Sequence, residues 1–191
     1  MGASTGPHAH LCIIVGSGEK GMGLHVTILV GTMTGTAEMV AQEVQEALET
    51  AGHQVAIRMM DDLDAGVFQG GGAFLICTST YGQGDVPDNA QEFFSSLETE
   101  RPNLASTTYG LIALGDTTYK DTYCQGGIRF DELLTQLGAR RAGEVLFHDA
   151  SSGTLPEEVA ALWAVPWAEQ LASSSQAEEH LSGTTNEVPA E

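Results

Sequence analysis

Short apolar runs alternate with longer amphipathic stretches along the middle of this chain, and that alternation restricts its fold more than any other feature. Val26–Val30, His53–Met59, Ala73–Cys77, Tyr109–Leu114 and Gly143–Phe147 read as strands. Ala37–Thr50, Asn89–Leu97, Phe130–Leu137 and Glu157–Leu171 carry apolar residues at helical spacing, with Pro166 expected to kink the last. Residues 60–70, with Asp61, Asp62 and Asp64, form either an irregular connection or a short helix. Such alternation builds an α/β fold, a parallel sheet with helices on both faces. Right-handed crossovers then leave few doubly wound strand orders. Ligands of these sheets sit beyond the C-terminal strand ends, where the strand order reverses. The loops after the first, third and fourth strands are therefore the ones expected to form a site.

Two glycine-rich loops compete for the role of phosphate cradle. Gly16-Ser17-Gly18-Glu19-Lys20-Gly21 matches the dinucleotide pattern G-x-G-x-x-G. That pattern binds pyrophosphate only when a helix begins inside it. Here Val26–Val30 comes next, a β-branched run that opens a strand, so the loop reads as leader or linker. The second loop, Gly31-Thr32-Met33-Thr34-Gly35-Thr36, lies between a strand and the helix that begins at Ala37. No Lys stands after its last glycine, which excludes a Walker loop. Threonine hydroxyls and the free N–H groups of the helix start suit a single phosphate held by oriented dipoles. The alternative is an ordinary Thr-rich helix cap.

The 191 residues suffice for one domain with a sizeable core, and 42 % of them are hydrophobic. No apolar run reaches membrane-spanning length, and the N-terminus lacks the basic start and apolar centre of a signal peptide. Asp and Glu number 26 against 7 Lys and Arg, a formal charge of -19. Such a surface repels nucleic acid and anionic membranes and attracts basic proteins. Cys12, Cys77 and Cys124 are an odd number with no close pair, which fits a reducing cytoplasm. None of the six histidines stands at ligand spacing with Cys, Asp or Glu, so no metal site is expected. Residues 1–24 read as a flexible leader, with Met22 an alternative start, 25–172 as the domain, and 173–191 as a disordered acidic tail.

The loops after the third and fourth strands each carry a tyrosine at a similar distance from the strand end. The first contains Thr78-Ser79-Thr80-Tyr81-Gly82-Gln83-Gly84-Asp85, and the second Gly115-Asp116-Thr117-Thr118-Tyr119 with Tyr123 and Cys124 beyond. An anion loop flanked by two aromatic tips suits a planar aromatic phosphate ester, anchored at one end and stacked on both ring faces. The trio GTMTGTAE, TSTYGQGDVPDN and LGDTTYKDTYC resembles the flavodoxin family, most closely its short MioC-type members, and is similar to the FMN domains of diflavin reductases.

The resemblance covers about residues 24–172 and implies a five-stranded parallel sheet of order 2-1-3-4-5, in the short form without a long insertion in the last strand. It implies that Thr32, Thr34, Gly35, Thr36 and the Met33 backbone hold the FMN phosphate. Tyr81 and Tyr119 would pack on the two ring faces, with Tyr123 an alternative to Tyr119. Thr78, Ser79, Thr80, Gly82 and Gly84 would shape the loop at the reactive edge; Gly115, Asp116 and Thr117 would meet the pyrimidine end, near Tyr123 and Cys124. Gly82 is the candidate for a peptide flip that meets the proton arriving on flavin N5, or else a plain turn glycine. Asp85, Asp88, Asp116 and Asp121 would oppose charge on the fully reduced ring.

The resemblance thus implies an electron carrier with no catalytic acid, base or nucleophile. It would be a cytoplasmic monomer exchanging single electrons with basic-surfaced redox proteins, a flavodoxin/ferredoxin reductase type donor and an acceptor enzyme. Two other readings stay open: an NAD(P)H-dependent quinone or flavin reductase of this fold, and a flavin-free interaction protein. A receiver domain is disfavoured, because Gly31-Thr32 and Thr78-Ser79 stand where its acidic residues belong.

Overall fold

A computed structural model of the chain describes residues 23–182, with side chains through Ser174. The expected leader, apart from its last two residues, and the tail beyond residue 182 lie outside the described residues. The elements run β1 (His25–Gly31), α1 (Thr36–Thr50), β2 (Gln54–Met59), β3 (Gly72–Thr78), α2 (Asp88–Glu100) and β4 (Thr107–Gly115). They continue with α3 (Gln125–Gln136), β5 (Arg140–Arg141), β6 (Leu146–Asp149) and α4 (Pro156–Ser182). Residues 60–70 contain two 3₁₀ turns, Met60–Asp62 and Ala65–Phe68.

All the strands pair in parallel in the order β2-β1-β3-β4-β5, and β6 also pairs with β4. This is the doubly wound order expected, with the fifth position split. Arg140–Arg141 pairs with Thr108–Tyr109, and Leu146–Asp149 with Ile112–Gly115. The expected strand Gly143–Phe147 is therefore corrected. Gly143 stands in the break at φ +72, a conformation that suits a turn glycine.

Successive side chains on a strand point to opposite faces, and the two cores obey that rule. Leu29, Ile76, Leu111 and Ala113 face α2 and α3, where Phe93, Phe94, Leu97, Phe130 and Leu134 complete the layer. Ile28, Val30, Leu75, Cys77, Ile112 and Leu114 face the opposite way, onto Val40, Ala41, Val44 and Leu48 of α1 and Ala160, Ala164 and Trp167 of α4. Gly110 has no side chain because Trp167 lies against it: a Cβ there would come within 2.6 Å of the indole. The Trp167 Nε1–H donates to the Ala142 carbonyl at 3.0 Å, so the indole bridges the last helix and the break after β5.

The last helix departs from expectation at its C-terminus. It continues through Pro166 to Ser182, past the domain boundary expected at residue 172. Neither Gly nor Pro interrupts residues 167–182, and Gly183 is the next residue that would disfavour a helix. The Ser173 and Ser174 hydroxyls donate to the carbonyls of Glu169 and Gln170, one turn back, which keeps these polar residues compatible with the helix.

Candidate functional site

The loops after β1, β3 and β4 meet at one end of the sheet, as the topology requires. In the first, the Thr32 N–H donates to Asn89 Oδ1 at 2.8 Å, and Asn89 Nδ2 donates to the Val30 carbonyl at 3.3 Å. The Gly35 N–H donates to Thr32 Oγ1 at 3.0 Å, which closes the turn. Gly35 itself sits at φ +86, immediately before α1, with nothing within 4 Å of a Cβ position. No side chain caps α1, whose first-turn N–H groups, like those of any helix, have no acceptor within the helix itself. The hydroxyls of Thr34 and Thr36 lie 3.4 Å apart at the same helix end. The Met33 sulfur accepts from the Asp88 N–H at 3.4 Å, tying this loop to α2.

The loop after β3 is anchored before it turns. Thr78 is fully buried, and the Ser79 N–H donates to the Gly31 carbonyl at 3.0 Å, joining the first and second loops. Tyr81 and Asp85 then pair as a short antiparallel bridge. Gly82 and Gly84 take φ values of +52 and +96 at its turn. Three contacts brace this turn against α3: the Gly126 N–H donates to Thr80 Oγ1 at 3.2 Å, Gly84 packs on Gln125, and Arg129 pairs with Asp85 at 2.7 Å. Arg129 also lies 5.5 Å from the Phe94 ring centroid. Asp85, expected to oppose charge on the reduced ring, is paired with Arg129. Tyr81 remains half exposed at the rim.

The loop after β4 folds back on itself at Gly115, where a Cβ would come within 2.5 Å of the Cys124 backbone nitrogen. Asp116 Oδ1 accepts from both the N–H and the hydroxyl of Thr118, and the Asp116 carbonyl accepts from the Tyr119 N–H. Tyr119 projects into solvent, 69 % exposed. Tyr123 instead packs against the core on the α2–α3 side, where burial pushes its hydroxyl up to about 12. Cys124 is fully buried, its thiol donating to the Ala113 carbonyl at 3.2 Å, and burial pushes that thiol up to about 11.

Between the loops lies a cleft of about 470 Å³, within the range typical of cofactor sites. Its walls bring together Thr36, Ser79, Thr80, Gly82, Gly115, Asp116 and Tyr119 from the expected set. Of the two alternative tyrosines, Tyr119 lines it while Tyr123 is turned to the core. Thr117 is turned toward β6: its N–H and hydroxyl both donate to Asp149. Thr122 and Ala150 also line the cleft, and Asn89 and Asp149 hold its loops, although sequence reasoning assigned none of the four to the site. Asp149-Ala150-Ser151 carries the Asx-turn signature at a strand end, which was the available signal.

Residues 28–163 match the Flavodoxin family. The chain belongs to the flavodoxin family. It is 37 % identical over 145 residues to flavodoxin YqcA of Escherichia coli, covering 74 % of this chain and 95 % of that protein. Protein MioC of E. coli is 32 % identical over 149 residues, covering 76 % and 97 %. A 117-residue stretch is 38 % identical to the sulfite reductase flavoprotein alpha-component of Bacillus subtilis, covering 61 % of this chain and 19 % of that one. Among solved structures, a mutant of flavodoxin from Pseudomonas aeruginosa is 35 % identical and superposes with a TM-score of 0.68, over 78 % of this chain and 99 % of that one. The resemblance read from the three loops is thus confirmed, including the likeness to diflavin reductases. FMN is the cofactor of the flavodoxin family.

Proposed function

We propose that this flavodoxin binds FMN in the cleft and carries single electrons between larger redox proteins. The observation that carries the reading is the uncapped start of α1. An ordinary Thr-rich cap would place a threonine oxygen on the first-turn N–H groups, whereas here Thr32 Oγ1 is engaged by Gly35 and no side chain caps the helix. That leaves donors, the positive end of the helix dipole, and the Thr34 and Thr36 hydroxyls for one phosphate.

The rest of the chain fits the ring. Tyr119 and Tyr81 would flank its two faces, and Ser79, Thr80 and Gly82 would line the reactive edge. Gly82 stands at φ +52, where a glycine peptide turns at low cost, so its carbonyl would accept a hydrogen bond from a proton held at flavin N5. Asp116, fixed by Thr118, would border the pyrimidine end. Bound FMN supplies one-electron redox chemistry, and the protein supplies anchoring, stacking and partial exclusion of water.

The net charge of -19 supports partners with basic faces, a flavodoxin/ferredoxin reductase type donor and an acceptor enzyme, met transiently by a monomer. The test is reduction of the FMN-loaded protein by NADPH with and without a ferredoxin–NADP reductase. A carrier is reduced only when the reductase is present. Rapid reduction by NADPH alone would instead make the chain a nicotinamide-dependent flavin enzyme, and failure to take up FMN would make it an interaction protein.

A further inference from the structure

Parallel pairing between β4 and β6 ends at Gly115–Asp149, yet the residues beyond that pair form two walls of the cleft. Asp116 and Tyr119 stand on one side and Ala150 on the other. Side chains carry the connection past the last strand pair, and Asp149 stands at its centre. Asp149 Oδ1 accepts from the Thr117 N–H at 3.0 Å, and Oδ2 from the Thr117 hydroxyl at 2.6 Å. From its own side, the carboxylate accepts the Ser151 N–H at 2.9 Å and the Ser151 hydroxyl at 2.8 Å. The Thr117 and Ser151 hydroxyls lie 3.0 Å apart, which closes the cluster.

These bonds to an ionised group are the strong kind, and they hold the Asp149 carboxyl well below the usual carboxylate range. The neighbouring loop is stiff within itself: Thr118 and Tyr119 bond back to Asp116, and Thr122 to Tyr119. It would therefore move largely as one piece, with Gly115 at its base and Thr117 as its tether.

We propose that Asp149 is a positioning residue for the flavin ring: by clamping Thr117 to the end of β6, it fixes how far Tyr119 and Asp116 stand from the opposite wall. The proposal rests on the FMN-carrier reading and adds to it. A clamp at the ring end acts on FMN and riboflavin alike, because the two share the ring and differ only in the phosphate held at α1.

The experiment is fluorescence-quenching titration of the apoprotein with FMN and, separately, with riboflavin. Thr117→Val and Asp149→Asn should each weaken both flavins by the same factor, about tenfold, the scale of one lost charge-assisted hydrogen bond. Thr117→Ser keeps the hydroxyl and should bind as the wild type does, which a merely bulk-packing role for Thr117 would not produce. The Thr117→Val/Asp149→Asn double variant should be little worse than either single one, since both weaken the same tether. Near-wild-type affinity for both flavins in Thr117→Val and Asp149→Asn overturns the clamp, as does a loss confined to FMN, which would place the cluster's effect at the phosphate. Wild-type protein that takes up neither flavin removes the cofactor reading itself, and the clamp falls with it.

Discussion

Thr36 stands where the two halves of the site meet, at the first turn of α1 and on the wall of the cleft. Replacing its hydroxyl with a methyl group removes the donor proposed for the phosphate without changing side-chain volume much. Thr36→Val is expected to weaken FMN at least about tenfold, given the roughly 1.5–3 kcal/mol of a hydrogen bond to a charged group, and to leave riboflavin affinity unchanged. Equal losses for both flavins would take the phosphate away from this loop. Asp149 gives a second residue-level prediction, in pH. Its carboxyl titrates below its ordinary value near pH 4 because Thr117 and Ser151 donate to the ionised form. A lowered folded pKa stabilises the protein above the unfolded value and loses that contribution as pH falls through the folded one. The melting-temperature gap between wild-type and Asp149→Asn apoprotein should therefore narrow on acidification below about pH 4. Tyr123 and Cys124, its neighbours, are neutral throughout that range. A constant gap would mean that Asp149 acts by shape and not by charge.

Among the elements, legibility in the sequence depends on how local the determining interaction is. The first four strands and α1 are legible because each carries its own apolar period; α1 buries Ala37, Val40, Ala41, Val44 and Leu48 on one face. The fifth strand is not. Arg140–Arg141 has no apolar signature and is in the sheet only because β4 offers Thr108 and Tyr109 as partners. The start of α3 is equally hidden, since Gly126 and Gly127 are poor helix formers. They are required there because a Cβ on Gly126 would strike the Ser79 carbonyl, and one on Gly127 would strike Ala113. The choice between Tyr119 and Tyr123 depends on which one the core accepts, and Asn89 and Asp149 act across loops distant in sequence. The same logic makes Gly110 testable. Gly110→Ala would push on the Trp167 indole and is expected to cost about 1–3 kcal/mol in denaturant unfolding, the usual scale of overpacking. Little change would show that α4 can shift away from the sheet, contrary to the close packing seen.

Across the whole molecule, an acidic chain of charge -19 surrounds a site whose own carboxylates are partly spoken for: Asp85 by Arg129 and Asp149 by Thr117 and Ser151. Long-range attraction of the proposed basic partners would then come from the summed surface charge more than from any one cleft residue. The rate of electron transfer to a basic acceptor, with cytochrome c as probe, should fall several-fold between about 0.05 and 0.5 M salt as charges are screened. A rate indifferent to salt would remove electrostatic steering from the account. No helix among the described residues is long and apolar enough to cross a membrane. The central claim, that the three loops hold FMN for single-electron transfer, is tested most directly by the visible spectrum of the FMN-loaded protein during stepwise anaerobic reduction. Near-stoichiometric bound FMN, reduced in two resolved one-electron steps, is the expected result. A single two-electron transition, or loops that hold no FMN, would contradict it.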